Sequence, residues 1–259
     1  AALWGILRVH DDNRIQASRE LLNTLLSDVV DKVKSSCELL NFVKDTANNV
    51  ADNIPTYVDP KSEANLYNLY LKNVIHVGHS TGGGEAIRYA AQYGKDRVSK
   101  VVLISAITPY MIADDNNPNG VPLSVFDDIR YNTQHNRAQF YQDITFPFFG
   151  YNREGAKVKK GVQDSWWRQG MMGGIKAQYD CIRVFSETDF TEDLKIVTVP
   201  VLVLHGDDDQ IVPYATTAVK AAELVKDSKL IIYPGFPHGM PTTEAETINK
   251  DILDFIKAK

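Results

Sequence analysis

A serine framed by glycines constrains this chain more than any other stretch. The β-branched run Val74-Ile75-His76-Val77 leads directly into Gly78-His79-Ser80-Thr81-Gly82-Gly83-Gly84. The residues that follow, from Glu85 to Tyr93, carry a helical pattern that Gly94 is expected to close as a C-terminal cap. Strand, Gly-x-Ser-x-Gly and helix in this order spell a nucleophile elbow. In such an elbow the serine occupies a sharp strand-to-helix turn, and glycines keep side chains out of the crowded bend. The five-residue motif alone recurs by chance; its flanks are what give it weight.

The chain on either side supplies the rest of a sheet. Val101-Val102-Leu103-Ile104-Ser105-Ala106 is a continuous apolar run after a helix, which reads as a strand buried on both faces. A second such run, Val201-Leu202-Val203-Leu204-His205-Gly206, ends in Asp207-Asp208-Asp209. A helix over roughly 214–225 follows, then the strand 230–233. The loop Pro234-Gly235-Phe236-Pro237-His238-Gly239-Met240 comes next, and an amphipathic helix at about 244–256 closes the chain. Between the two apolar runs, from 110 to 194, prolines and glycines punctuate short helical pieces dense in aromatics. That pattern predicts a helical cap over a pocket, with Phe126, Trp166 and Trp167 as candidate walls. Adjacent Trp166 and Trp167 cannot both face the same way along a helix.

The first third reads differently. Trp4 to Val9 could pair as a strand. Apolar residues from Leu22 to Ile54 then keep three-four spacing, and no glycine interrupts the chain between Ile6 and Val77. The pattern predicts an amphipathic helical front with a break near Ser35-Ser36 or Asn48-Asn49, ended by Pro55 and Pro60, with another short helix from Ser62 to Leu71.

Charge and cysteine usage narrow the function. A net charge of −5 lacks the basic surface that nucleic-acid binding wants. No apolar run approaches the roughly 18 residues of a membrane span, and Leu3 to Leu7 is short for a signal segment. Cys37 and Cys181 stand far apart with no Cys-x-x-Cys, which argues against a zinc or redox site and fits a cytoplasmic protein.

Ser80, an acid near 209 and His238 occur in the order Ser…Asp…His, the order of the α/β-hydrolases. A neutral serine hydroxyl needs a base, and the base needs a carboxylate to fix its tautomer and stabilise the imidazolium. Of the three aspartates, Asp209 stands three residues before Val212-Pro213; Asp207 is expected to brace the turn and Asp208 to face solvent. His76 reads as packed in its strand and His79 as shaping the elbow. His205 ends a strand, and His10 and His135 have no partner that the sequence names.

From about residue 71 to 259 the chain resembles the cofactor-free bacterial haloperoxidases, also called perhydrolases or aryl esterases, within the α/β-hydrolases. The motifs that carry the resemblance are Gly78-His79-Ser80-Thr81-Gly82-Gly83-Gly84, Asn136-Arg137-Ala138-Gln139-Phe140-Tyr141 and Trp166-Trp167-Arg168-Gln169-Gly170-Met171-Met172. Phe185-Ser186-Glu187-Thr188-Asp189-Phe190, His205 to Gln210 and Pro237-His238-Gly239 agree as well. The resemblance implies an α/β-hydrolase fold: a mostly parallel central sheet with flanking helices and a helical cap inserted after the strand that follows the elbow. The core would be 71–109 and 195–259, the cap 110–194, and the unlike front segment 1–70. It implies Ser80 as nucleophile, Asp209 as orienting acid, His238 as base and the Thr81 backbone N–H as an oxyanion donor, with no metal and no cofactor. It further implies an acyl-serine formed from a small acyl ester or short carboxylic acid. Water releases the acid; hydrogen peroxide releases a peracid that oxidises halide. The resemblance allows a homo-oligomer.

The first 70 residues lack the His-Gly-Trp-Pro-like loop from which that family draws its second oxyanion donor. A competing reading follows, in which the chain is a catalytically weak or inactive α/β-hydrolase-like module whose helical front binds a partner. A dehalogenase on the same fold would present a carboxylate at the elbow, where this chain has Ser80.

Overall fold

The computed structural model describes residues 72–258, apart from the Lys95 side chain. The helical front, the strand at Trp4–Val9 and the helix ending at Leu71 lie outside the described residues, as do His10 and Cys37.

Among the described residues, four strands form one sheet in the order β1-β2-β3-β4: β1 Val74–His79, β2 Val98–Ile104, β3 Val201–Gly206 and β4 Ser228–Tyr233. β2, β3 and β4 are parallel, with Val101 opposite Val201, Ile104 opposite Leu204 and Gly206 opposite Tyr233. The two central strands are buried along nearly their whole length. Val101, Val102, Leu103, Val201, Leu202 and Leu204 have no exposed surface. Each such side chain contributes about 1.5–3 kcal/mol by leaving water, which is why uninterrupted apolar runs read correctly as central strands.

The strands end in step, and their ends are tied together. Ser80, just past β1, donates its N–H to the Ile104 carbonyl at the end of β2, at 2.9 Å. Ser105, just past β2, donates to Leu204 of β3 at 2.8 Å, and Asp207, just past β3, donates to Tyr233 of β4 at 3.1 Å. The loops that hold Ser80, Asp209 and His238 therefore leave one edge of the sheet, the carboxyl edge at which open α/β sheets bind ligands.

Helix α1, Thr81–Arg97, starts immediately after Ser80. It does not stop at Gly94. Gly94 lies inside it, and the chain passes at Val98 straight into β2, the Val98 N–H bonding back to the Gly94 carbonyl. A tight helix-to-strand junction thus replaces the expected glycine cap.

Between β2 and β3, the described residues carry α2 Leu123–His135, α3 Arg137–Asp143, α4 Thr145–Phe148, α5 Lys160–Met172, α6 Ile175–Glu187 and α7 Thr191–Ile196. α7 docks on α1: Arg88 pairs with Asp193 at 3.0 Å and lies over the Phe190 ring, 4.7 Å from its centre. After β3 comes α8 Ala218–Leu224, shorter than the sequence pattern because residues 214–217 form turns and Thr217 caps the helix. After β4 come α9 Met240–Thr243 and α10 Ala245–Lys257. Among the described residues, no helix is long and apolar enough to cross a membrane.

The bend after β1 depends on two backbones in near contact. A Cβ on Gly78 would sit 2.3 Å from the Gly82 carbonyl oxygen, and one on Gly83 would sit 2.4 Å from the Ala106 Cβ. Neither neighbour can rotate away. Gly78→Ala should therefore lower stability by about 1–3 kcal/mol, measured as a drop in denaturation midpoint.

Candidate active site

Ser80 holds φ 56° and ψ −122°, a conformation that costs a side-chain-bearing residue about 1–3 kcal/mol. Its surroundings fix it there. Its N–H is held by Ile104, and its carbonyl accepts from Gly83 at 3.1 Å and Ile107 at 3.3 Å. Thr81 is the first residue of α1, so its N–H has no partner within its own helix and stands at the positive end of the helix dipole.

Asp209 is the aspartate drawn inward. Its side chain is fully buried, and both oxygens are engaged. Oδ1 accepts the N–H groups of Ile211 at 2.9 Å and Val212 at 2.8 Å. Oδ2 accepts from His238 Nδ1 at 2.7 Å and lies 3.0 Å from His205 Nε2. Burial by itself would raise the carboxyl pKa. The charge that His238 takes up and the hydrogen bonds from His205 and His238 outweigh it and hold Asp209 well below the usual carboxylate range.

The neighbouring aspartates differ from expectation in one respect. Asp207 braces the turn, its carboxylate accepting the Gly235 N–H at 2.6 Å, but it is the exposed member of the three. Asp208 is half-buried and paired in a fork with Arg153 from the insertion. A cation from another part of the chain captures Asp208, which local sequence could not reveal.

His238 is completely buried. A carboxylate can only accept, so Nδ1 carries the proton towards Asp209 and Nε2 presents a lone pair. That Nε2 is buried without a hydrogen-bond partner, the Ser80 hydroxyl included. An unpaired buried acceptor is costly in a packed interior.

Two more rings, those of His79 and Phe148, converge on this one. His79 donates Nε2–H to the His238 carbonyl at 2.9 Å, and the two ring centres are 4.8 Å apart. Phe148 stands edge-on to His238 at 4.8 Å and to His79 at 6.1 Å. The Phe148 carbonyl accepts the Gly239 N–H at 2.6 Å. Trp166 packs on Phe148 with centres 5.0 Å apart, so it joins the aromatic wall beside His238. Trp167 turns elsewhere: its indole N–H donates to the Ala138 carbonyl, and it lines a cavity of about 350 Å³ with Gln139, Phe146 and Lys160. Phe126 is buried edge-on against Phe185 on α6. His135 bonds to the Tyr131 carbonyl one helical turn back and stacks on the Tyr131 ring.

Sequence reasoning missed two neighbours of the site. Phe148 was one aromatic among many in the insertion, and no spacing singles it out. His205 stands four residues before Asp209 at the end of β3, and only the return of the loop brings its Nε2 to that carboxylate.

The family model for the alpha/beta hydrolase fold matches residues 64–244. The chain belongs to the α/β-hydrolase fold family. Its similarity is strongest within one branch. It is 60% identical over 191 residues to a bifunctional esterase/perhydrolase of Acinetobacter calcoaceticus, covering 73% of this chain and 69% of that one. It is 55% identical over 191 residues to a non-heme chloroperoxidase of Streptomyces lividans, with the same coverage. Among solved structures it resembles a bromoperoxidase from Bacillus anthracis, at a TM-score of 0.72 and 32% identity, covering 76% of this chain and 73% of that one. The chain is thus a member of the non-heme haloperoxidase and esterase group of α/β-hydrolases.

His79 gives the site a pH signature. Burial, and then the charge of His238, push its pKa from 6.5 down to about 3. Between these values the unfolded chain binds a proton that the folded His79 refuses. Its contribution to stability is therefore complete above about pH 6.5 and is lost as pH falls towards 3. His79→Gln, which keeps a side-chain N–H, should flatten the decline over that window in denaturant titrations at successive pH values.

Proposed function

We propose that the chain is a serine hydrolase of small carboxylic esters that works through an acyl-serine and also runs perhydrolysis. The observation that carries the reading is the pairing of Asp209 with His238 at 2.7 Å, with His238 Nε2 buried and free and Ser80 held strained at the same sheet edge. In the proposed cycle His238 Nε2 takes the Ser80 proton as the serine oxygen attacks the ester carbonyl. Asp209 steadies the imidazolium, and the Thr81 N–H donates to the developing oxyanion. His238 then gives the proton to the leaving alcohol. Water, deprotonated by the same ring, regenerates Ser80 and releases the acid. Hydrogen peroxide in place of water releases a peracid, and the peracid oxidises bromide or chloride in solution.

The names of the relatives support this reading: an esterase/perhydrolase and chloroperoxidases share more than half of the aligned residues. Phe148 beside His238, backed by Trp166, supports a small acyl group, since rigid rings take the space a long chain would need. Action in the cytoplasm is part of the proposal and draws on the cysteine usage alone.

The competing reading, a weak or inactive module, rests on the missing His-Gly-Trp-Pro-like loop. Losing one of two oxyanion donors costs about 10²–10³ in kcat, roughly 2.7–4 kcal/mol. A small fluorophosphonate separates the two, because it needs both an activated serine and an oxyanion site. Intact-mass analysis should show one adduct, mapping to Ser80. Ser80→Ala should take no adduct and lose both ester hydrolysis and peroxide-dependent bromination of an activated diketone. More than a few per cent of activity left in Ser80→Ala, or no adduct on the folded wild type, would overturn the acyl-serine reading.

A further inference from the structure

Asp209 does not serve His238 alone. Oδ2 is shared, with His238 Nδ1 at 2.7 Å on one side and His205 Nε2 at 3.0 Å on the other. The His205 ring has no exposed surface, and its Nε2 also lies 2.9 Å from the Val212 carbonyl. A carbonyl oxygen only accepts, so Nε2 must carry the ring proton. Nδ1 is buried with no partner, which disfavours a second proton there. The histidine is thus fixed as one tautomer, its single N–H given to the Val212 carbonyl with the carboxylate oxygen 3.0 Å from the same nitrogen. Val212 is anchored in turn, because its own N–H donates to Asp209 Oδ1. Val212 thus joins the two residues, its carbonyl accepting from His205 and its N–H donating to Asp209.

Resting on the acyl-serine chemistry proposed above, we propose that His205 is a positioning residue which holds Asp209 Oδ2 on His238 and draws off part of its charge. The consequences have opposite signs, which makes them separable. Without the His205 N–H, Oδ2 is less firmly placed, and turnover falls. The carboxylate also becomes a stronger acceptor for positive charge at the site, so the acid limb of the pH–rate profile moves up.

The groups that could confuse the readout are few. His79 faces His238 from the elbow and stays neutral above about pH 3. On the acid loop, Asp207 is bonded to Gly235 and Asp208 to Arg153 of the insertion. Phe148, the other neighbour from the insertion, does not ionise.

The test compares His205→Leu, which removes the donor, with His205→Gln, which returns an N–H to nearly the same place. Rates are normalised by fluorophosphonate titration of Ser80, so a loss of folded protein does not enter. In His205→Leu, kcat for a short acyl ester should fall about 10-fold with little change in KM. The midpoint of the acid limb of kcat/KM should move up by about half a unit to one unit. His205→Gln should recover most of both. A merely structural histidine would lower stability and leave the limb where it is. A second measurement needs no variant: nitrogen-15 histidine spectra of the wild type should show His205 protonated at Nε2 and bare at Nδ1 near neutral pH. An unmoved acid limb in His205→Leu, or a His205 proton at Nδ1 instead, overturns this role while the Ser80 adduct leaves the esterase reading standing. Absence of the adduct in the wild type sinks the two together.

Discussion

The site depends on how a buried negative charge is kept. The Asp209 side chain is out of water, and an isolated carboxylate there would be far too costly to persist ionised. Four polar contacts make it tenable: the N–H groups of Ile211 and Val212 from its own loop, His238 from the loop after β4 and His205, 3.0 Å away at the end of β3. The carboxylate therefore ties together the ends of two neighbouring strands. Removing either histidine leaves it with fewer polar contacts in a dry pocket. The same low dielectric that makes the charge expensive makes its hold on the His238 ring strong.

The strain at Ser80 is maintained in a similar way. One conformationally unfavourable residue persists because its N–H and carbonyl are claimed by Ile104, Gly83 and Ile107. The close approach of Gly78 and Gly83 to their neighbours leaves the bend no room to relax. Ser80 N–H to Ile104, Ser105 to Leu204 and Asp207 to Tyr233 form one continuous series across the sheet edge. Any slip of a strand would displace the serine, acid and histidine relative to one another. The insertion adds a lateral brace, since Phe148 bonds to Gly239, Arg153 pairs with Asp208, and Asn152 and Gln210 exchange side-chain amide bonds. His238 and Asp209 thus each have a neighbour in the chain anchored to the insertion.

Much of this was legible residue by residue. The runs 101–106 and 201–206 announced buried strands because strands covered on both faces need apolar side chains at every position, not at alternate ones. The elbow was legible because only glycine fits against the Gly82 backbone at Gly78 and the Ala106 Cβ at Gly83. Asp209 could be picked from three consecutive aspartates by its distance from Val212-Pro213, and its oxygens accept the Ile211 and Val212 N–H groups. The end of α1 was misread. Gly94 looks like a cap, yet the helix runs through it, because the following strand recaptures the chain directly at Val98.

Local pattern and spacing determined the strands, the elbow, the order of serine, acid and base, and the presence of an aromatic-rich helical insertion. These are properties of short stretches, set by side-chain size, backbone freedom and periodicity. The fold alone decided which aromatics reach His238, that Arg153 captures Asp208, and that His205 shares the carboxylate with His238. Each joins groups from separate parts of the chain or across the return of a loop. Such meetings depend on strand register and loop path, which no local pattern encodes.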